Sequence, residues 1–333
     1  MKKLFSFISM FCMSMIVFAQ NTLVATLTHG NEISMYYGAY ALQQANRAAQ
    51  SGDVIHLSGG SFQASNITKG ISLRGTGIDD VNPTYIIGGF EINIPSSDTC
   101  RLTMEGIYCY NGVTMRGTFN SPLFTKNLFT QITFTSTSTI KNALFANCKI
   151  LRGNTNGTAT TVQFINSYVS QIPVSDNSAA AFVNCVIDSK YDSFTGFAAH
   201  HMRNSNFLSC IFYTQECYSL PSSSTATNCV SIGCSDFFSG NPTNKGNTCL
   251  GKNEFEQLFK NFTGTYSRDQ KFELCDEAKT KYLGTDGTEV GMHGGPLPYS
   301  SIPSYPRITK MNVANKATAD GKLSVEIEVS AAE

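Results

Sequence analysis

Charged residues and tryptophan are both scarce in this sequence. The 333 residues include no Trp, and the 24 basic and 24 acidic residues cancel to a net charge of zero. Only 14% of the residues are charged, against about a quarter in typical soluble proteins. A nucleic-acid partner bound through bulk positive charge is excluded, because no excess charge exists to neutralise phosphates. An acidic disordered chain is excluded too, because 41% of the residues are hydrophobic.

Long hydrophobic runs are missing after the N-terminus, so we expect no membrane-spanning helix. The one apolar run, residues 4–18, follows a basic start and precedes the small residue Ala19. This arrangement is typical of a secretory signal peptide cleaved after Ala19. We therefore predict residues 1–19 as a signal peptide and the protein as exported, to the periplasm, the cell surface or the medium.

One six-residue pattern recurs every ~20 residues through the middle of the chain. It has an inward residue, any residue, a Gly, Asn or Ser, a small or apolar residue, any residue and a second inward residue. The clearest copies begin at Phe145, Phe164, Phe182 and Phe207. The central positions of all copies are Gly70, Gly89, Gly106, Asn127, Asn147, Asn166, Asn184, Ser209 and Asn228.

The pattern requires a bend at its central residue. A straight strand cannot bury both Phe145 and Cys148, because its side chains alternate between two faces. One residue in the left-handed region bends the chain and resets the alternation, and Gly and Asn adopt that region most readily. Stacked strand–corner–strand units predict an all-β parallel β-helix solenoid, in which nine coils would span roughly 40 Å. The alternative, a β-sandwich, needs hairpin turns, and the sequence has few.

The pattern also predicts what the corner residues and the cysteines after them do. Stacked corner Asn side chains are expected to hydrogen-bond along the stack. The residues after the corners should point into the bore, where we expect Cys148, Cys185, Cys210 and Cys229 to pack as small hydrophobes. A metal or redox site is the alternative, but thiolate ligands must converge on one point. The remaining cysteines could form disulfides in an oxidising compartment, with the pairing left open: Cys100, Cys109, Cys217, Cys234, Cys249 and Cys275.

Helical patterns at both ends can cover the solenoid. Leu42, Ala45 and Ala49 share one helical face and predict an N-terminal capping helix. A second amphipathic pattern, starting at Phe255, predicts a short C-terminal helical cap. The domains are therefore predicted as a β-helix with caps at 20–299 and a C-terminal linker and strand tail at 300–333.

Two segments carry a resemblance to a known family. Residues 51–57 (SGDVIHL) and 71–77 (ISLRGTG) resemble the opening of the pectin-lyase-like right-handed β-helix superfamily. Residues 286–296 resemble the closing segment of exported β-helix proteins of Gram-negative gut bacteria. The resemblance, over about residues 36–299, implies the fold. It implies little about activity, because the superfamily includes lyases, hydrolases, esterases and adhesins.

Acidic residues are scarce in the middle of the rod. Between Gly106 and Gln215 the only acids are Asp176, Asp188 and Asp192. Polygalacturonase-type hydrolysis needs paired acids, and calcium-dependent lyases need several carboxylates around the ion. Both mechanisms are disfavoured, and we predict no metal or other cofactor; Ca²⁺ has no support in the sequence.

The longest interval between corners contains the candidate catalytic residues. Inserted residues in a solenoid form a loop on one face, often the binding face. The loop between Asn184 and Ser209 carries Asp188, Asp192, His200, His201 and Arg203. An Asp, a His and an Arg could perform acid–base chemistry or bind an acidic sugar. The alternative is an ordinary polar surface loop.

Five tyrosines are candidate ligand-binding residues: Tyr108, Tyr110, Tyr168, Tyr191 and Tyr213. Tyr108 and Tyr168 fall on one outward column of the repeat, and Tyr191 lies in the long loop. Exposed aromatic rings on a rod could stack on sugar rings, whereas scattered surface tyrosines are the alternative interpretation.

The sequence leaves three functions open. The first is a surface or periplasmic protein that binds a polysaccharide or cell-surface glycan without a catalytic cluster. The second is a polysaccharide lyase or glycoside hydrolase acting on an acidic polysaccharide. The third is a structural adhesin whose terminal strand, residues 322–329, pairs with a partner.

Overall fold

The computed structural model describes residues 23–78, 82–155, 158–170, 179–189, 202–214, 219–239, 245–251, 254–261, 266–313, 320–322 and 324–330. Three helices are present within these ranges: α1 (Ala41–Ala48), α2 (Phe255–Leu258) and α3 (Asp276–Lys281). The strands are β1 (Val24–His29), β2 (Glu32–Tyr37), β3 (Val54–Leu57), β4 (Gly60–Gln63), β5 (Ser72–Arg74), β6 (Thr84–Ile87), β7 (Phe90–Ile94), β8 (Thr103–Glu105), β9 (Ile107–Cys109), β10 (Val113–Asn120), β11 (Leu123–Thr125), β12 (Leu128–Phe129), β13 (Ile132–Phe134), β14 (Thr139–Ala146), β15 (Lys149–Ile150), β16 (Gly153–Thr155), β17 (Thr158–Ile165), β18 (Tyr168–Val169), β19 (Ala180–Val183), β20 (Val186–Ser189), β21 (Ser205–Leu208), β22 (Ile211–Thr214), β23 (Thr225–Thr227), β24 (Val230–Ile232), β25 (Thr248–Leu250), β26 (Arg307–Val313) and β27 (Val325–Ser330).

The strands form a parallel β-solenoid of about eight turns. The first sheet stacks β3, β5, β8, β11, β14, β17, β19, β21 and β23 in order, and the second stacks β4, β6, β9, β12, β15, β18, β20, β22, β24 and β25. A short third sheet contains β7, β10, β13 and β16. The predicted all-β parallel β-helix fold is confirmed, and helices contribute little to it.

Corners join the first sheet to the second in the middle of the rod. Seven stacked corner residues have φ values between 47° and 68°: Gly106, Lys126, Asn147, Asn166, Asn184, Ser209 and Asn228. Six of them are predicted corners, and the seventh is Lys126 in place of Asn127. Gly70 and Gly89 do not belong to this line, because Gly70 lies before β5 of the first sheet and Gly89 before β7 of the third. Gly70 instead permits a close backbone approach, since a Cβ there would collide with the carbonyl of Cys100.

The shift of one corner changes the role of Asn127. Because Lys126 makes the bend, Asn127 points into the bore, in the position that Cys148 occupies one coil later. The buried Asn127 amide accepts a hydrogen bond from the Ile107 N–H at 3.0 Å and donates one to the Met104 carbonyl at 2.8 Å. It therefore ties two coils together, which compensates for burying a polar side chain.

The predicted ladder between corner asparagines is replaced by bonds to the C-terminal segment. Asn147 Oδ1 accepts from the Ser300 N–H at 2.9 Å. Asn166 Nδ2 donates to the carbonyls of Met292 and Gly294 at 2.8 and 2.7 Å. These asparagines use their amides to hold another part of the chain, because that segment runs directly over the corners.

Phenylalanine rings stack along the bore. The rings of Phe124, Phe145, Phe164, Phe182 and Phe207 are fully buried or nearly so, with successive centroids 4.6, 5.0, 4.7 and 4.8 Å apart. Offset stacking adds to the free energy of burial. The spacing follows the distance between neighbouring strands, so the stack joins each coil to the next.

The cysteines after the corners pack in the bore, as predicted. Cys148, Cys185, Cys210 and Cys229 are buried free thiols. Burial raises the pKa of the Cys148 thiol to about 12, so it stays protonated at neutral pH. Away from this column, Cys234 forms a disulfide, and Cys217 lies outside the described residues. Cys100, Cys109, Cys249 and Cys275 are free.

The N-terminal end is extended by a hairpin and covered by α1. β1 pairs antiparallel with both β2 and β3, which continues the first sheet. Ala41, Leu42 and Ala45 of α1 are buried in the main core. The predicted N-terminal capping helix is therefore confirmed in position and in its buried face.

The C-terminal segment packs along the side of the solenoid. Outward residues of the second sheet, including Tyr168, Val186, Ile211 and Val230, form a second buried cluster with residues of this segment: Leu258, Phe259, Phe272, Leu274, Ala278, Val290 and Met292. The helix predicted at Phe255 is the short α2, and Leu258 at its end contributes to this lateral cluster. The C-terminal helices thus cover the outer face of the second sheet.

Residues 284–305 return along the corners, and we call this segment the strap. It starts near Ser209, whose carbonyl accepts from the Gly291 N–H at 2.9 Å, and ends at Tyr305, whose hydroxyl donates to the Gly75 carbonyl. The Tyr305 ring also packs edge-on against His56, with centroids 5.5 Å apart. The strap can lie close to the rod because Gly295 has no side chain. A Cβ at this position would collide with the Asn184 amide.

The tail forms its own hairpin. The strand predicted at 322–329 is observed as β27, and its antiparallel partner is β26 of the same tail. Within the ranges described above, no helix combines the length and apolar character needed to cross a membrane.

Candidate functional site

Two of the five residues of the predicted catalytic cluster, Asp188 and Arg203, lie in the described part of the chain. Asp188 lies on β20 of the second sheet, whereas Arg203 is exposed two residues before β21 of the first sheet. The other three candidates, Asp192, His200 and His201, lie outside the described residues, and so does Tyr191.

Asp188 forms a buried hydrogen bond with Tyr168. The Tyr168 hydroxyl donates to Asp188 Oδ2 at 2.7 Å, and both side chains are only 1% exposed. Burial, reinforced by the neighbouring Asp188 carboxylate, raises the pKa of Tyr168, so the phenol keeps its proton. The pair links the adjacent strands β18 and β20 inside a buried interface.

The expectation that Tyr168 presents an exposed ring is wrong. Its column faces outward, as predicted, but the rings of Tyr266 and Phe272 stack on it with centroids 4.7 and 4.8 Å away. These two residues belong to the C-terminal segment, which covers this part of the second sheet. A contact across about 100 residues of sequence is not visible in the local repeat.

Tyr108 belongs to an open group of rings that we call the tyrosine platform: Tyr85, Tyr108 and Tyr110. The register places Tyr85 beside Tyr108 on neighbouring strands, with ring centroids 5.1 Å apart. Tyr110 follows at 5.7 Å from Tyr108 and is 54% exposed. Arg268 steadies the platform from one side, because its guanidinium donates to the Tyr85 hydroxyl at 2.8 Å and lies 6.0 Å from the Tyr108 ring centroid.

A cleft opens on the third sheet immediately after Tyr110, and we call it the polar cleft. Its volume is about 240 Å³ and it is lined by Asn66, Gly89, Phe90, Glu91, Asn111, Gly112, Val113, Thr114, Gln131 and Thr133. β7 and β10 pair with Phe90 opposite Val113, which places Gly89 and Gly112 side by side. The depression is open above Gly89, where a Cβ would meet only open space, whereas Gly112 lies so close to Gln131 that a Cβ there would collide with it.

Amides and hydroxyls dominate the chemistry of the polar cleft. Gln131 Nε2 donates to Thr133 Oγ1 at 3.1 Å, and Asn111 Oδ1 accepts from the Gly88 N–H at 2.9 Å. These bonds orient the two amides and leave the Asn111 NH₂ group available for a ligand. Glu91 is the only carboxylate among the lining residues.

Glu91 is held by an ion pair at the edge of the polar cleft. Arg116 Nε lies 2.9 Å from Glu91 Oε1, and the two side chains are 44% and 37% exposed. The pair joins β7 to β10 and fixes the carboxylate on the cleft side. A partly exposed pair of this kind contributes at most about 1 kcal/mol to stability, so its main consequence is the placement of charge.

The turn at residues 110–112 connects the tyrosine platform to the polar cleft. Tyr110 and Asn111 are consecutive, so one ends the platform and the other lines the cleft. Gly112 closes the turn with φ +82° and donates from its N–H to the Cys109 carbonyl at 3.2 Å. Aromatic rings and hydrogen-bonding groups thus form one continuous surface around a corner of the rod.

Only part of this surface was accessible to sequence reasoning. Tyr108 and Tyr110 were predicted, but Tyr85 was missed although it occupies the same outward column as Tyr108 one coil earlier. The cleft was missed because Gly89 was interpreted as a corner. The dipeptides Gly88-Gly89 and Asn111-Gly112, on adjacent coils, are the signal that could have revealed it.

The described residues contain no group of three or more His, Cys, Asp or Glu side chains that could hold a metal ion. Comparison with protein-family models gives no match, and neither does comparison with curated proteins or with solved structures. The fold assignment therefore rests on the backbone itself, and the candidate site on its geometry.

Proposed function

We propose that this protein is an exported glycan-binding protein whose ligand lies along the tyrosine platform and the polar cleft. The observation that carries the proposal is the half-exposed Tyr110 ring directly beside a cleft of oriented amides. A tyrosine ring offers a flat apolar face with a hydrated hydroxyl at its edge, which suits the C–H face of a sugar. Asn and Thr groups both donate and accept, as sugar hydroxyls require.

The dimensions favour an extended ligand. The polar cleft, at about 240 Å³, is smaller than the ~300–1,000 Å³ pockets that enclose drug-sized molecules. It would hold about one sugar residue, while neighbouring residues of the chain lie on Tyr110 and Tyr108. Export through residues 1–19 would bring the protein to the periplasm, cell surface or medium, where polysaccharides are available. Membership of the pectin-lyase-like superfamily is part of this proposal and accords with the parallel solenoid.

Replacing Tyr110 by alanine should weaken glycan binding about tenfold, since an aromatic contact contributes about 1–1.5 kcal/mol. Residues 20–333 would first be mixed with plant and host polysaccharides in size-exclusion chromatography to find a co-eluting polymer, and the affinity of Tyr110→Ala would then be measured by calorimetry. Tyr40→Ala is the matched control, because Tyr40 is 59% exposed and lies next to α1, away from the site. Equal affinities for the two variants would contradict the proposal.

Polysaccharide cleavage stays a prediction that depends on residues outside the described part of the chain, Asp192, His200 and His201. The same chromatography separates it from binding. A polymer that shifts to smaller size would show cleavage, and a polymer that remains intact while the protein co-elutes would show binding alone.

A second candidate function, self-association of a structural adhesin, is favoured by the tail hairpin. Val325, Ile327 and Val329 of β27 are each more than half exposed, and their register partners on β26 are also apolar: Val313, Met311 and Ile308. The alternate positions pair Lys310 with Glu328. A lone two-stranded hairpin is marginally stable in water. A second copy of the same face would cover it in a twofold, self-complementary contact.

Replacing Ile327 by serine should therefore raise the dissociation constant of a dimer at least tenfold, because it removes apolar area from the centre of the contact. Sedimentation velocity at several protein concentrations measures this constant. Glu328→Ser is the control on the charged face of the same strand. A wild-type chain that remains monomeric at the highest concentration, or a loss of association in both variants, would exclude this arrangement.

A further inference from the structure

The charge of the polar cleft limits which sugars it can hold. Its lining provides the amides of Asn66, Asn111 and Gln131, the hydroxyls of Thr114 and Thr133, and a single charged group, the Glu91 carboxylate. All of these groups can bond to sugar hydroxyls. None of them is a cation that could balance a second carboxylate inside the cleft.

The nearby cations do not reverse this charge. Arg116 is the cation next to the cleft, and its Nε is already bound to Glu91 at 2.9 Å. It is not among the lining residues. Arg152 lies one coil further along the rod and is exposed. Ile132 on β13 pairs with Gly153 on β16, which places Arg152 beside Gln131. Glu91 is therefore the one charged side chain in the lining of the cleft, and both guanidinium groups lie outside that lining.

We propose that the polar cleft selects a neutral or N-acetylated sugar residue and excludes uronic acids, with Glu91 as the specificity-determining residue. This inference rests on the proposed function and adds the ligand class. A carboxylate that accepts hydrogen bonds from two sugar hydroxyls strengthens the binding of a neutral sugar, since bonds to a charged acceptor are stronger than neutral ones. The same carboxylate repels an acidic sugar, because like charges brought together oppose association.

The specificity also depends on Arg116. As long as Arg116 is bound to Glu91, part of the negative charge is compensated, and the exclusion of acidic sugars is moderate. Removing the guanidinium would leave Glu91 uncompensated. The two residues of the pair should therefore change specificity in opposite directions when each is replaced by glutamine, which keeps the approximate size of the side chain and removes its charge.

The test compares neutral, N-acetylated and uronic-acid oligosaccharides on the full mature chain and on two variants. We expect the wild type to bind the preferred neutral or N-acetylated oligosaccharide at least tenfold more tightly than its uronic-acid counterpart. Glu91→Gln should weaken the binding of the neutral ligand by about tenfold. The ratio of the affinity for the neutral ligand to that for the acidic ligand should then fall to near one. Arg116→Gln should increase the ratio. Intrinsic fluorescence and thermal denaturation would show that both variants are folded.

Salt gives an independent readout. Exclusion of the acidic ligand should decrease as ionic strength rises from about 0.01 M to about 1 M, since the Debye length falls from about 30 Å to about 3 Å. Neutral-ligand affinity should stay unchanged. Wild-type preference for a uronic-acid ligand, or an unchanged ratio in Glu91→Gln, would overturn the inference while leaving glycan binding intact. Absence of binding to any member of the panel would overturn both proposals.

Discussion

Substituting Phe164 by alanine is expected to lower the free energy of unfolding by about 3–5 kcal/mol. The ring is fully buried and stacks between Phe145 and Phe182, with centroids 5.0 and 4.7 Å away. Removing it leaves a cavity in the middle of the bore, where each coil contacts only its neighbours and distant coils cannot compensate. Equilibrium denaturation in urea, followed by far-UV circular dichroism, measures the change.

Two further variants determine whether the loss comes from the ring stack. Phe164→Leu keeps most of the side-chain volume and should lower the free energy of unfolding by less than ~2 kcal/mol. Gln163→Ala changes the exposed neighbour on the same strand and should stay within ~0.5 kcal/mol of the wild type. A loss below ~1 kcal/mol in Phe164→Ala would mean that the stacked rings are not the continuous core that the structure shows.

The second large effect concerns Asn166. Asn166→Gly should lower the free energy of unfolding by about 2–4 kcal/mol, because the buried Gly294 carbonyl loses its Asn166 donor and the buried Met292 carbonyl keeps only the bond from the Tyr299 N–H. Glycine accepts the left-handed corner conformation, so the effect reports the amide and not backbone strain. Urea denaturation measures the free energy, and hydrogen exchange of the Tyr299 amide reports local opening of the strap, since that amide donates to the Met292 carbonyl.

A matched control exists at another residue with a left-handed backbone. Asn142 also has a positive φ, 52°, but its side chain is exposed. Asn142→Gly should therefore leave stability nearly unchanged. If the two variants behaved alike, the strap would not be anchored through the Asn166 amide.

The parts of the fold that were predicted correctly depend on local chemistry. The alternation of Phe145 and Cys148 required a bend, and the bend requires a residue that tolerates positive φ, so Asn147 was identifiable from six residues of sequence. Lys126 was missed because nothing in its side chain favours that conformation. The neighbouring Asn127 was the better candidate, and only its hydrogen bonds to Ile107 and Met104 show that it serves in the bore.

The candidate site was predicted less completely, for a different reason. Tyr108 and Tyr168 occupy equivalent positions in the repeat, and the repeat alone cannot distinguish them. The C-terminal segment lies over Tyr168, whereas Tyr108 stays half-buried, with the Arg268 guanidinium of that segment 6.0 Å from its ring centroid. Exposure is thus decided by a segment about 100 residues or more away in the chain.

The sequence by itself determined the coil: the bends at six of the seven stacked corners, the ring stack in the bore and the reason why four residues of the bore are cysteines. These features follow from strand alternation and from the conformations that single residues accept, both of which act within a few residues. The tertiary structure alone decided which outer faces remain open. It buried Asp188 and Tyr168 under the C-terminal segment, and it brought Tyr110 beside the polar cleft by stacking coils whose register no local pattern specifies.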